Sequence, residues 1–154
     1  MSLALAATRP SAVAPTAPVA SSKPWLSVIM PTHCGERWIE AALRSIAAEA
    51  TDGIEILLLD SSPTSATVDA ARSYAGILDL HIHQRCDPPT WHAKTNRGVA
   101  LATAEHVCWL HQDDVWLAGR AEAVRQWIDA APAAPLHLAP SAIIDRHGRT
   151  LGVW

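Results

Sequence analysis

The stretch His106-Val107-Cys108-Trp109-Leu110-His111-Gln112-Asp113-Asp114-Val115-Trp116 decides how the chain is read. Its first half is apolar and holds β-branched and aromatic residues, the composition of a buried strand. Two adjacent carboxylates follow where that strand should end. In an open α/β sheet, ligands bind beyond the carboxyl ends of the strands. Side-by-side acids there are costly unless a cation or a hydrogen-bonding ligand compensates them. One reading is a site for a metal ion and a nucleotide diphosphate. The other is a helix start, because aspartate is a good N-cap and a helical pattern soon follows. The stretch by itself leaves both open.

Upstream, Trp25 to Met30 is a β-rich run stopped by Pro31, and Thr32-His33-Cys34-Gly35 is the loop at its carboxyl end. Trp38, Ile39, Ala42, Leu43, Ile46, Ala47 and Ala50 then recur at helical spacing, with Glu36, Arg37, Glu40, Arg44 and Glu49 on the other side. This predicts an amphipathic helix over about residues 36–50, with Trp38 in the core. Ile54 to Leu59 is a nearly continuous apolar run, as a central parallel strand buried on both faces would be. Asp60-Ser61-Ser62-Pro63-Thr64-Ser65 is its carboxyl-end loop, and Ser65 is placed to cap a weak helix over 66–74. Leu80 to Gln84 alternates as a third strand. The prolines of Asp87-Pro88-Pro89 exclude regular structure, and Thr90 is placed to cap a helix over 91–102. Beyond the opening stretch, Ala121, Val124, Trp127 and Ile128 place a helix over 120–130, with Trp127 in the core. Pro140 to Ile144 is an apolar segment before the turn Asp145-Arg146-His147-Gly148. The order βαβαβαβα predicts an α/β fold, a mostly parallel sheet with helices on both faces. The loops 31–36, 60–65 and 111–116 then share one rim, and three polar loops on one rim make a ligand site.

A chain of 154 residues suffices for one domain with a real core, and 49% apolar with 18% charged residues is an ordinary globular composition. The net charge is -3 and no long basic run exists, which argues against nucleic acid or an anionic membrane as the main partner. Cys34, Cys86 and Cys108 are widely spaced and form no CxxC pair, so no zinc or disulfide framework is expected. The expected location is a reducing cytoplasm, with a peripheral position at the inner membrane as the alternative. No stretch reaches the roughly 18–20 apolar residues of a membrane span. Residues 1–24, rich in Ala, Pro, Ser and Thr, read as a disordered tail before a folded domain over 25–154. Cys108 reads as a small core residue. His81 and His83 lie near Cys86 but lack a second ligand pair at zinc spacing. His33 and His92 read as loop or surface residues, and Lys94 as a solvated helix lysine rather than a phosphate ligand.

Four segments in register resemble the family 2 glycosyltransferases, which have a GT-A fold and use nucleotide-sugar donors. They are Leu26-Ser27-Val28-Ile29-Met30-Pro31-Thr32, then Ile54 to Asp60-Ser61-Ser62, then Asn96-Arg97-Gly98, then Leu110-His111-Gln112-Asp113-Asp114-Val115-Trp116-Leu117. The resemblance covers about residues 25–152. It implies that Pro31, Thr32 and His33 border the nucleobase, with His33 where the family usually has Tyr or Phe. Glu36 matches a frequent acid of that loop. Asp60 matches the first acid of an Asp-Asp-Gly-Ser segment that helps hold base and ribose, and Ser61 stands at its second position. Asn96 and Arg97 match an Asn-x-Gly helix beside the donor. Gln112 and Asp113 lie in the donor loop, where Asp113 matches the last acid of the Asp-x-Asp motif that ligates Mn2+ or Mg2+. Asp114 is left to cap the following turn, and Trp91 and Trp116 flank the site. The implied activity is inverting transfer of a sugar from a nucleotide-sugar, a UDP-sugar in the first instance, to a hydroxyl of a saccharide, lipid or protein acceptor.

Departures from the pattern define the alternative. His111 replaces the first acid of Asp-x-Asp, and an imidazole cannot grip a ribose or ion as a carboxylate does. Pro63 lies near where the Ser of the Asp-Asp-Gly-Ser segment would fall. No residue matches the family's catalytic base, which is expected beyond Trp154; Asp129 and Asp145 lie in the wrong segments. The chain is therefore expected to be the donor-binding part, incomplete at its carboxyl end. Apolar area left exposed there would drive homo- or hetero-oligomerisation. The alternative function is a non-catalytic nucleotide-sugar-binding or interaction module. Glycine-rich phosphate loops are absent, which disfavours other doubly wound nucleotide-binding proteins.

Overall fold

The computed structural model describes residues 23–87 and 89–154. Residues 1–22 of the expected tail lie outside them, as does Pro88 of the expected proline break. Strands β1 (Leu26–Thr32), β2 (Ile54–Asp60), β3 (Asp79–His83) and β4 (His106–Trp109) form one parallel sheet in the order β3-β2-β1-β4. Helices α1 (Ile39–Ala47), α2 (Ala66–Arg72) and α3 (Trp91–Leu101) connect them in turn. Helix α4 (Arg120–Ala130) follows β4, and an antiparallel hairpin of β5 (Ala142–Ile144) and β6 (Thr150–Val153) closes the chain. The α/β expectation holds.

All seven residues of β1 and all seven of β2 are buried, because both faces of the central pair are covered. Leu26, Val28 and Met30, with Ile54, Ile56 and Leu58, share the larger core with the apolar stripe of α1, Ala71 of α2 and Ala121 and Val124 of α4. The alternate residues Ile29, Leu57 and Leu59 form a smaller cluster with Cys86 on the opposite face, where α3 packs. The period-two alternation of a strand thus assigns each side chain to one helix layer or the other.

One acid interrupts the apolar run of β2. Glu55 is buried on the α3 face, and its Oε1 accepts hydrogen bonds from Ser27 Oγ at 2.5 Å, Thr103 N at 2.7 Å and Thr103 Oγ1 at 2.9 Å. One carboxylate therefore joins β1, β2 and the turn between α3 and β4. Burial works to raise its pKa, but the hydrogen bonds from Ser27, Thr103 and Ala104 together outweigh it and hold the group below the ordinary glutamate value.

Several expectations are corrected. Helix α1 starts at Ile39 rather than at Glu36, because Gly35 O accepts from both Trp38 N and Ile39 N and the chain turns before it winds. Trp38 is half-buried instead of core, with the Arg37 guanidinium stacked 4.4 Å from its ring. Trp127 is likewise half-buried, packing against the core while Arg120 covers its ring. Strand β4 is not buried on both faces. Among the described residues it is an edge strand paired with β1, and its side chains Val107 and Trp109 are exposed at 39% and 57%. Cys108 points inward against the core, where burial pushes its thiol up to about 12.

The expected caps also differ. Ser65 donates its hydroxyl to Asp69 and Thr90 pairs with His92, so neither side chain caps its helix. The helix-start reading of Asp113-Asp114 fails, because α4 begins only at Arg120 and Asp114 caps nothing. Its amino end is served instead by Glu49 from the end of α1, which accepts from Gly119 N at 3.0 Å and Ala121 N at 3.1 Å. The apolar segment Pro140 to Ile144 becomes β5 of a hairpin whose second strand the sequence did not announce. Among the described residues, no helix is long and apolar enough to cross a membrane.

Candidate functional site

The carboxyl ends of β1, β2 and β4 bring the three expected loops together. Thr32 and Asp60 are direct register partners at the end of the β1–β2 ladder. Asp60 is only 2% exposed, and its Oδ1 accepts from Thr32 Oγ1 at 2.8 Å and Ser62 Oγ at 2.7 Å, while Oδ2 accepts from Ser62 N at 3.0 Å. The acid predicted to hold base and ribose thus also organises its own loop. Ser62 Oγ accepts in turn from Cys34 N at 2.8 Å, and Thr67 Oγ1 accepts from Gly35 N at 2.9 Å. Thr67 also donates to Glu36 Oε2 at 3.0 Å. The loop after β1 is therefore held at three successive residues by side chains that follow β2. Ser62 and Thr67 were not singled out from sequence; a hydroxyl two residues after a buried acid is an Asx-type signal that could have found Ser62.

Gln112 closes the rim from the β4 side. Its amide pairs with the main chain of His33, accepting from His33 N at 2.8 Å and donating to His33 O at 3.1 Å. A side-chain amide offers one donor and one acceptor and so mimics a strand neighbour. The pairing needs Gly35: a Cβ there would stand 2.4 Å from Gln112 Oε1. Gly35→Ala is expected to expel Gln112 and lower stability by about 1–3 kcal/mol, two hydrogen bonds worth about 0.5–1.5 kcal/mol each. Urea unfolding read by circular dichroism measures the change, and faster hydrogen exchange at His33 N localises it.

The two acids of the opening stretch lie exposed on this rim, after a turn in which Asp114 N donates to His111 O at 3.1 Å. Loss of water around Asp114, then the neighbouring Asp113 carboxylate, raise its pKa, and His111 works the other way. Two like charges side by side suit a hard cation. Among the described residues no group of three or more His, Cys, Asp or Glu could hold a metal ion. The donor set fits Mg2+ or Mn2+ only as a shared site, in which one or two carboxylates are completed by phosphate oxygens and water.

Helix α3 corrects another expectation. Lys94 is not solvated: it is 3% exposed, because it shares the sheet-facing side of α3 with Gly98, one turn away. Its Nζ donates to Thr32 O at 2.5 Å and to Ser61 Oγ at 2.8 Å. Burial pushes its ammonium below the ordinary lysine range, while the Asp60 carboxylate pulls the other way. Asn96 and Arg97, predicted beside the donor, are exposed, and Arg97 lies near Cys86 and His83 rather than in the Asp60 network. Trp116 is core, with its backbone N–H donating to Ser45 Oγ at 2.9 Å, whereas Trp91 stands 63% exposed, edge-on to His111 at 6.0 Å. Pro31 does not stop β1, which runs through it to Thr32, so Pro31 and Thr32 are buried strand residues and only His33 stands exposed in the loop.

One small cavity adjoins these loops, and a larger one lies at the other end of the sheet. The first, of 80 Å³, lies between Asp60, Ser62 and Arg85, beside the rim. The second, of 390 Å³, opens near Trp25, His106 and Arg125, at the amino ends of the strands. The smaller one adjoins the chemistry, since parallel sheets bind at their carboxyl ends and Arg125 is already engaged with the Trp25 ring at 4.5 Å.

The sheet and its polar rim define an α/β protein of the doubly wound kind, with its ligand edge above β1, β2 and β4. The glycosyl transferase family 2 model matches residues 27–143, and the chain belongs to this family. A PGL/p-HBAD biosynthesis glycosyltransferase of Mycobacterium bovis is 37% identical over 93 residues, which are 59% of this chain and 36% of that protein. The structure of S. aureus TarS 1-349 superposes with a TM-score of 0.65 at 24% identity, over 70% of this chain and 33% of that one. The mannosyltransferase PcManGT from Pyrobaculum calidifontis, in complex with GDP-Man and Mn2+, gives 0.62 at 25% identity, over 81% of this chain and 37% of that one. The expected GT-A fold is thereby met. The chain spans about a third of the length of each of these proteins.

Proposed function

We propose that this chain binds a nucleotide-sugar, a UDP-sugar in the first instance, and serves inverting transfer of the sugar to a hydroxyl of a saccharide, lipid or protein acceptor. The observation that carries the reading is the closed rim. Gln112 fastens the β4 loop to His33, Asp60 fastens the β2 loop to Thr32, and Asp113 stands free beside them. Pro31, Thr32, His33, Glu36, Asp60, Ser61, Asn96, Arg97 and Gln112 are assigned to the donor side by family pattern, and Asp113 to Mn2+ or Mg2+. A divalent ion bound with the diphosphate would neutralise charge on the leaving group. The chain's own part is to fix the nucleoside side through rigid loops and to present Asp113 where the phosphates lie. The relatives bear on this: TarS has been solved with UDP-GlcNAc and PcManGT with GDP-Man.

The test is calorimetric titration with UDP and Mn2+. Wild type is expected to bind, and Asp113→Ala to weaken binding about tenfold or more, the equivalent of about 1.4 kcal/mol. A folded wild type that gives no heat with UDP or GDP, with or without Mn2+, sinks the reading. The alternative, a non-catalytic module, draws on His111 in place of a carboxylate and on Asp145, whose oxygens are taken by His147 and Arg149. Metal-dependent release of UDP from a UDP-sugar would argue against it.

A further inference from the structure

Ser61 places two oxygens around one nitrogen of His33. His33 Nδ1 lies 3.1 Å from Ser61 O and 3.2 Å from Ser61 Oγ. A backbone carbonyl can only accept, so this contact favours a proton on Nδ1, and the Ser61 hydroxyl supplies the second acceptor that completes the preference. The Ser61 hydroxyl is also reached from below by the buried Lys94 Nζ at 2.8 Å, which can only donate. Ser61 Oγ then accepts from Lys94 and from His33, and its own proton is directed to Pro89 O at 3.3 Å. Every valence of the hydroxyl is used. Thr32 O already accepts from Ser61 N at 3.1 Å and Lys94 Nζ at 2.5 Å, which leaves it the poorer target for that proton.

We propose that Lys94, Ser61 and His33 form a relay that holds the His33 imidazole in its Nδ1–H form and so presents Nε2 as a hydrogen-bond acceptor at the nucleoside side of the site. His33 is exposed, and among the described residues its Nε2 has no hydrogen-bond partner. The group it suits is an N–H or O–H donor of a nucleoside: a base ring N–H or a ribose hydroxyl. Lys94 is a positioning residue here, acting through Ser61. A buried cation with only a carbonyl and a hydroxyl for direct partners is costly, and the relay gives it a role that packing alone does not. The ligand half of this inference rests on the nucleotide-sugar reading; the tautomer half does not.

The experiment has two arms on the full chain. Long-range 1H–15N correlation spectra at alkaline pH, assigned with His33→Asn, read the tautomer without ligand. Wild type is expected to show His33 protonated at Nδ1. Lys94→Met and Ser61→Ala are expected to move it toward the Nε2–H form that a free side chain favours. Ser61→Ala removes the relay but leaves Lys94 in place with its bond to Thr32 O, so it serves if Lys94→Met does not fold. An Nε2–H wild type, or a tautomer unchanged in both variants, overturns the relay. In the second arm, UDP with Mn2+ is expected to bind about tenfold more weakly to Ser61→Ala, with circular dichroism unchanged. Unchanged affinity beside a changed tautomer overturns the link to the site. Absence of nucleotide binding by wild type defeats the proposed function, while the spectra still decide the relay.

Discussion

Replacing Glu55 with alanine is expected to cost about 3–4 kcal/mol of stability, seen as a lower urea midpoint. The figure follows from what the carboxylate holds. Thr103 N, Thr103 Oγ1 and Ser27 Oγ all donate to one buried oxygen, and each buried donor stripped of its acceptor costs about 1–3 kcal/mol. Ser27 Oγ also accepts from Ala104 N at 3.1 Å, which spares that amide and keeps the total below the simple sum. Against the roughly 5–15 kcal/mol that holds a domain folded, this loss is large. The pH dependence has a definite sign. Hydrogen bonding holds the folded-state pKa of Glu55 below its ordinary value despite burial. Its contribution is therefore fully present above the ordinary glutamate value and is lost as pH falls through the depressed one. Acid titration of stability should fall more steeply for wild type than for Glu55→Gln, and equal slopes would contradict the assignment.

Glu55 also marks where reading from sequence stops. An acid inside the apolar run Ile54 to Leu59 was visible, but its partners lie in another strand and after a helix, so no local pattern names them. β1 and β2 were legible because burial on both faces leaves a continuous apolar run, β3 because it alternates, and α4 to the residue because its stripe is clean. The edge status of β4 was not, since Val107 and Trp109 look the same in sequence whether or not a layer covers them. Lys94 was misjudged because a helical lysine is ordinarily solvated. Only the close approach of α3 at Gly98 shows that Lys94, one turn earlier, must face the sheet. At the site, the three rim loops were found as a set, whereas the cross-links through Gln112, Ser62 and Thr67 depend on side-chain reach that spacing does not encode.

Gly98→Ala should be strongly destabilising. A Cβ there would stand 2.4 Å from Ile29 Cγ2 and 3.2 Å from Leu59 Cδ1. Both side chains are fully buried in the centre of the sheet, so neither can swing away. Helix α3 must lift instead, and overpacking of this kind costs about 1–3 kcal/mol, occasionally more. The lift also draws Lys94 from Thr32 and Ser61, which adds broken polar contacts in a buried place. The expected outcome is a thermal midpoint lowered by at least about 5 °C, together with nucleotide affinity weakened more than in a surface α3 variant such as Val99→Ala. An unperturbed midpoint would mean that α3 does not pack as tightly as described.

The strand order carries a temporal consequence. β1 comes first in the chain yet lies in the middle of the sheet. Its partner β2 arrives after one helix, whereas β4 arrives only after three. Closing the longer loop costs more chain entropy, and distant pairings form later. β4 is thus expected to join the sheet last, and Gln112, which follows it, to reach His33 last. A chain with only β1, β2 and β3 assembled already displays Asp60 and Ser62 but has no closed edge. Any ligand that requires the closed edge stabilises the finished sheet alone, so ligand binding by this domain doubles as a report that its folding is complete.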